Sequence, residues 1–378
     1  MTRDLEMRVG AAGAAVVGVA FGMGRFCFGL TLPALRVDPG LSPTGVPDAV
    51  LGLIAGGTFA GFLAGIVGAP LLAARRGPRA PTTVGGVCGV LGALVVVLAG
   101  SPPVLALGAV LAGSAAGWVW APYSDVVAAL ARPERRPRLI SLISTGTCAG
   151  LVLVGLVAIA AGSQWRAVWA AVALCSAAAA LLNLRWVPPV PARQIAGNPV
   201  PWRSMRAPAL YAVVYQAGTA VAFTYSAEVA TRAGLTAAVR PLLFVIIGVL
   251  GTAGLFTGAM ARRFGPGRVA AGCLAGIAVS LLVLAVGDRS PVLALAAAAV
   301  FAPGYMIGAA ALAVWTAAVV PADPGRALSG AMVVGAVGAI VAPIVVGGLV
   351  APLGLPVLLV ATGVLCATTA AGLRFRSR

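Results

Sequence analysis

Long apolar stretches alternate with short polar ones along the whole chain. A helix needs about 20 consecutive apolar residues to cross a bilayer. By that measure the stretches number twelve, at 9–35, 49–73, 82–100, 103–129, 139–162, 165–187, 208–231, 239–261, 269–287, 291–320, 327–351 and 353–373. Runs of this kind predict helices, because in lipid each backbone N–H and C=O must be paired within its own segment. The longest polar interval, PPVPARQIAGNPVPWRSMRA at 188–207, is rich in proline and arginine and divides the spans six and six. The predicted architecture is an all-α membrane protein of twelve transmembrane helices. Two pseudo-symmetric six-helix bundles, 1–187 and 208–378, are joined by a linker at 188–207.

The halves repeat at one offset. PVLAL occurs at 103–107 and again at 291–295; Gly77-Pro78 in RRGPR matches Gly265-Pro266 in RRFGPGR; RLISLISTG from Arg138 matches RALSGAMVVG from Arg326. Each pair is 188 residues apart. Parallel repeats of this kind place a substrate site near mid-membrane, between the halves.

Composition supports the membrane reading. The 378 residues are 61% hydrophobic and 9% charged, with mean hydropathy +1.04, where soluble domains carry about 25% charged residues. The basic, then apolar N-terminus lacks a small-residue cleavage site, so it is expected to remain as the first span. There is no histidine and no lysine; all 26 basic residues are arginine. That excludes a GK[ST] phosphate loop, HExxH zinc sites and Ser-His catalysis. Cys27, Cys88, Cys148, Cys175, Cys273 and Cys366 lie in apolar runs, with no CxxC, and read as small packing residues. No cofactor or metal is expected. With the N-terminus inside, inner segments hold 20 arginines and outer loops 5. The positive-inside rule then puts both termini in the cytoplasm. The charge of +17 thus reports topology and contact with membrane lipids, not a nucleic-acid partner.

Two six-span halves with basic loops after spans 2 and 8 resemble the major facilitator superfamily over essentially the whole chain. That family's loop pattern is roughly G-x-x-x-D-R-x-G-R. Gly258, Arg263 and Gly265 fit it, with Arg262 in place of the aspartate. Arg75, Gly77 and Arg79 look like its basic remnant in the first half, where Pro70 and Ala74 replace the glycine and aspartate. GAIVAPIVVGG at 338–348 resembles the glycine-proline motif of drug antiporters, but in span 11 instead of span 5. GMGRFCFGLTLPAL is similar to the first span of a YbfB/YjiJ-type bacterial branch. The resemblance implies an inner-membrane secondary transporter, multi-pass, working by alternating access on a small organic solute. Proton coupling is expected because the chain has no ATP site. Efflux is favoured over uptake, since intramembrane acids suited to strong proton coupling are few. The alternatives are an uptake carrier or uniporter for a small organic anion and, from another class, a sensor or lipid-acting enzyme.

Arg25 is the one charge in its span, about 24 Å along from Val9 at 1.5 Å per residue. Facing lipid it would cost at least about 3 kcal/mol. It is therefore expected to line the translocation path and hold an anionic group, which guanidinium grips bidentately. The alternatives are snorkelling, or pairing with Asp38 or Glu228. Asp125 is expected to pair with Arg75, Arg76 or Arg79, resembling the family's charge relay, with Arg262 and Arg263 as the second-half gate. Glu228 is the candidate proton site, or a partner of Arg232 at i,i+4. On spans 4, 7 and 10, Trp118, Tyr123, Tyr215, Gln216 and Tyr305 are candidate substrate contacts; Trp120, Tyr211, Tyr225 and Trp315 are further polar or aromatic positions. GGTFAGFLAG on span 2 reads as a helix-packing face.

Overall fold

A computed structural model of the chain describes residues 3–132, 135–192, 201–321 and 323–376. These form twelve long helices and, among the described residues, no strand. In the first half they are α1 (Asp4–Arg36), α2 (Asp48–Arg76), α3 (Arg79–Val97), α4 (Pro102–Leu130), α5 (Arg136–Ala161) and α6 (Trp165–Trp186). In the second half they are α7 (Trp202–Arg232), α8 (Leu242–Phe264), α9 (Pro266–Ala285), α10 (Pro291–Val319), α11 (Pro324–Leu353) and α12 (Leu355–Arg376). Each overlaps one predicted span. The end at which α1 begins is called here the terminal end, and the opposite one the far end.

Eleven of these helices are long and apolar enough to cross a membrane. The exception is α7, with 31 residues but a more polar sequence. Nearly every residue from Tyr211 to Ala230 is buried, so α7 has no lipid face that must be apolar. Its counterpart α1 is similar: its most apolar window is 89% buried, against 33% in α8 and α12. The two first helices of the halves are thus the inner ones.

Three features differ from the expected pattern. Residues 202–207 of the expected linker belong to α7, because nothing after Pro201 interrupts the helix and Met205 is buried against the core; linker residues 193–200 lie outside the described residues. In α1, Gly18–Gly24 is a widened π-helical turn. In α8, Thr252–Phe256 is a tight 3-10 turn that splits the helix. The 188-residue offset is visible in the backbone. Gly77 and Gly265 take φ of +80° and +82°, open to glycine and strained for other residues, and end α2 and α8 at equivalent places. Arg136 and Pro324, which open α5 and α11, are again 188 apart.

Glycines let the helices meet backbone to backbone. A Cβ on Gly18 would stand 2.7 Å from the Gly146 carbonyl of α5, and one on Gly22 2.7 Å from the Gly150 Cα. On α2 the predicted packing face is used: a Cβ on Gly65 would stand 2.7 Å from the Ser114 carbonyl and 2.8 Å from the Gly117 Cα of α4. Between the two halves, glycines that would overlap the opposite backbone lie towards the far end. They include Gly29 against Phe223, Gly52 against Pro343 and Gly347, and Gly248 against Cys148. The halves are closed on each other there.

Candidate functional site

Arg25 follows directly on the π-turn. That turn presses Gly18 and Gly22 onto α5 and sets the phase at which the next residue leaves the helix; such turns are frequent at functional sites. The Arg25 residue is 5% exposed. Its guanidinium carbon lies 3.9 Å from the ring centre of Phe62, 5.2 Å from those of Phe26 and Phe59, and 5.5 Å from that of Phe21. Two rings come from α1 and two from α2. Arg25 does not snorkel, and neither acidic alternative holds it. Asp38 accepts from Trp165 Nε1 at 2.5 Å, Arg166 at 2.8 Å and the Gly40 N–H at 2.7 Å. Glu228 accepts from Arg232. Among the described residues no carboxylate lies within ion-pair distance of Arg25, and its Nε has no hydrogen-bond partner.

The aromatic cage continues into the second half. Phe26 stacks on Phe223 of α7 with centroids 3.7 Å apart and meets Tyr305 of α10 edge-on at 5.9 Å. Tyr305 stacks on Phe301 at 5.6 Å. On the other side, Phe21 meets Trp120 of α4 at 5.9 Å. Tyr215 and Tyr305 are close enough to interact electrostatically with Arg25. Residues of α1, α2, α7 and α10 thus converge on one cation, with Trp120 of α4 one ring further out.

The predicted contacts divide. Tyr305 and Tyr215 join this group; Tyr215 donates its hydroxyl to the Tyr305 carbonyl. Gln216, the next residue on α7, is buried. Trp118 lies elsewhere: its ring covers Gly68 of α2, with its Cβ against Gly85 of α3. Two residues along an α-helix turn a side chain by about 200°, so Trp120 faces Phe21 where Trp118 does not. Tyr123 is also apart, its hydroxyl donating to Asn183 Oδ1 at 2.6 Å, and Asn183 in turn donates to Thr82 at 3.1 Å. That network ties α3, α4 and α6 together.

At the terminal end Arg79 donates to the Leu184 carbonyl, capping α6. Arg75 and Arg76 are exposed at the end of α2, and Asp125 is exposed on α4. Arg262 and Arg263 are exposed at the end of α8, with Arg263 over the Phe264 ring at 5.2 Å. Glu6 and Arg135 form an ion pair at 2.5 Å.

The far end holds a charge cluster across the halves. Arg36, at the end of α1, pairs with Asp48 at the start of α2 and, at 3.4 Å, with Glu228 of α7. Arg232 donates to Glu228 at 3.1 Å, and Arg240 donates to Thr231 at 2.8 Å. In the neighbouring loop, burial pushes the Asp38 carboxyl up. Hydrogen bonds from Trp165 and Gly40 and the Arg166 charge outweigh it and hold Asp38 below its ordinary value.

The Major Facilitator Superfamily model matches residues 14–307. The chain belongs to this superfamily. Solved members share the fold over nearly the whole length. A D-xylose–proton symporter is 17% identical with a TM-score of 0.81, covering 97% of each chain. The nucleoside transporter NupG is 13% identical at 0.75, covering 98% of each. A bacterial homolog of the human lysosomal transporter Spinster is 18% identical at 0.73, covering 100% of this chain and 98% of its own. No curated protein matches the chain. Membership makes this a multi-pass transporter fold.

Sequence reasoning missed Phe21, Phe26, Phe59, Phe62 and Phe223, as well as Arg36 and Asp48. Phe21 stands one turn before Arg25, the i,i+4 spacing of helical neighbours, and could have been found. Phe59 and Phe62 meet Arg25, and Phe223 meets Phe26, only through packing between helices.

Proposed function

We propose that this protein is a secondary active transporter carrying a small organic anion with an apolar body across the inner membrane by alternating access. The halves 1–187 and 208–378 rock about Arg25. The observation that carries this reading is the buried guanidinium ringed by four phenyl groups, with no carboxylate of the described residues within ion-pair distance. Each ring face contributes about 0.5–2 kcal/mol of cation–π attraction, which makes burial of the charge tolerable. The rings accept no strong hydrogen bond, so the guanidinium keeps its bidentate valence for a carboxylate or phosphate. Phe26, Phe223 and Tyr305 offer flat apolar surface to the rest of the molecule. The solved relatives include a sugar–proton symporter and a nucleoside transporter, which supports a small solute as cargo.

In this reading the arginine bias puts both termini in the cytoplasm. Glu228 is the coupling site. A proton on it removes the charge that Arg36 and Arg232 hold and releases the far end. Asp125, with Arg75, Arg76, Arg262 and Arg263, serves the terminal gate.

The test is transport of a panel of aromatic and aliphatic carboxylates in proteoliposomes under an imposed pH gradient of either sign. Wild type should move at least one carboxylate, with the productive gradient giving the direction. Arg25→Gln should abolish this, and Glu228→Gln should remove the pH dependence. Equal transport by Arg25→Gln would overturn the assignment.

A further inference from the structure

The 188-residue offset allows the halves to be compared position by position, and beyond the π-turn of α1 they differ where α8 meets α10. In the first half α2 is unbroken and lies along α4, with Gly65 against Ser114 and Gly117. The Trp118 ring fills the space between α2 and α4 beside α3. In the second half α8 is broken by the Thr252–Phe256 turn, which re-aims its last segment, Thr257–Phe264. The residue equivalent to Trp118 is Met306, and its side chain packs on Gly251 and Gly254 at the break. A cavity of about 730 Å³ remains between α8, α9 and α10.

The cavity has two chemistries. Its walls are apolar, with Met260 and Phe264 from α8 and Val300 and Ile307 from α10. Along α9 run Gly272 and Gly276, where an added Cβ would meet nothing. At its terminal-end mouth stand Arg268 and Arg374, both exposed. From Arg268 to Gly276 the groove descends about 12 Å at 1.5 Å per residue, from the membrane surface into the hydrocarbon layer. A cationic mouth over an apolar slot fits a molecule with an anionic head at the interface and a hydrocarbon tail. Basic pockets between helices on the arginine-rich side are where anionic headgroups collect. The volume falls within the roughly 300–1,000 Å³ of ligand-holding clefts.

We infer that the α8–α9–α10 groove binds one anionic phospholipid, its phosphate at Arg268 and Arg374 and one acyl chain along Gly272 and Gly276. The bound chain supplies the packing that Trp118 supplies in the first half. It steadies the detached segment of α8, which bears the gate residues Arg262 and Arg263. This inference rests on the groove and its charge and is independent of what Arg25 binds.

Native mass spectrometry of the full chain tests it. Protein from a mixed phosphatidylglycerol–phosphatidylethanolamine micelle should retain phosphatidylglycerol preferentially. Arg268→Gln with Arg374→Gln should weaken that retention roughly tenfold or more. Gly276→Leu, which fills the slot with both arginines intact, should abolish it, and its unchanged melting temperature without lipid would show that it folds. Equal retention of both lipids by wild type, or unchanged retention by Gly276→Leu, would overturn the proposal. A dimer mass that Gly276→Leu dissociates would also overturn it, assigning the groove to a second copy of the chain.

Discussion

Gly52 of α2 and Gly347 of α11 hold the far end shut, and Gly52→Ala should open it. A Cβ at position 52 would stand 2.6 Å from the Pro343 carbonyl oxygen and 2.7 Å from the Gly347 Cα. Both obstacles are backbone atoms, which no rotamer change can move. Since Cβ contacts under 3.0 Å essentially do not occur, α2 and α11 must separate by about 0.4 Å to reach that limit, and by more to reach ordinary contact. Overpacking of this kind costs about 1–3 kcal/mol, and packed interfaces yield by switching state more than by deforming. The open state avoids the clash, so its population relative to the closed one should rise roughly 5- to 150-fold. Spin labels on Val37→Cys and Val239→Cys, both exposed at the far end, would report it in a background without the natural cysteines. Gly52→Ala should add a longer-distance population. An unchanged distance distribution in a folded variant would refute the claim that this approach keeps the far end closed.

Three further outcomes follow from the polar contacts. Arg36→Ala removes the cation shared by Asp48 and Glu228 and should shift the same distance distribution, costing the closed state about 1.5–3 kcal/mol; a shift confined to global melting would count against a gate. Asp38 is held below the ordinary carboxylate value of about 3.9, so its stabilisation is present above that pH and lost as pH falls towards the folded value. The melting temperature of Asp38→Asn should therefore fall less than that of wild type on acidification below about pH 4, and parallel profiles would contradict this. Tyr123→Phe removes the hydroxyl bonded to buried Asn183 and should lower stability by about 1 kcal/mol with substrate KM unchanged; a raised KM would return Tyr123 to the binding site.

The spans were legible in the sequence because lipid imposes a length and an apolar composition on each helix. The halves were legible because Gly77-Pro78 and Gly265-Pro266 mark equivalent turns. Arg25 was legible as a buried charge for the same solvent reason. Its cage was not, because Phe59, Phe62 and Phe223 approach from other helices. Trp118 and Trp120 could not be told apart: α4 is apolar on all sides, so no amphipathic phase says which tryptophan faces inward. The break in α8 hides among glycines that elsewhere in the chain serve helix packing, as Gly61 and Gly65 do in α2. Glu228 was placed near Arg232 by helical spacing, yet Arg36 reaches it only through the closure of α1 on α7.

The central claim is that Arg25, which has no carboxylate of the described residues within ion-pair distance, holds a substrate anion. The most direct measurement is the melting temperature of the purified protein in detergent against small organic anions, cations and neutral compounds, with Arg25→Gln alongside. A ligand stabilises the state it binds by about 2.7 kcal/mol at a hundred times its Kd. The account predicts that at least one anion raises the wild-type melting temperature, and that Arg25→Gln, folded and caged by the same four rings, does not respond. Stabilisation of both proteins by the same anions, or of wild type only by cations and neutral compounds, would contradict it.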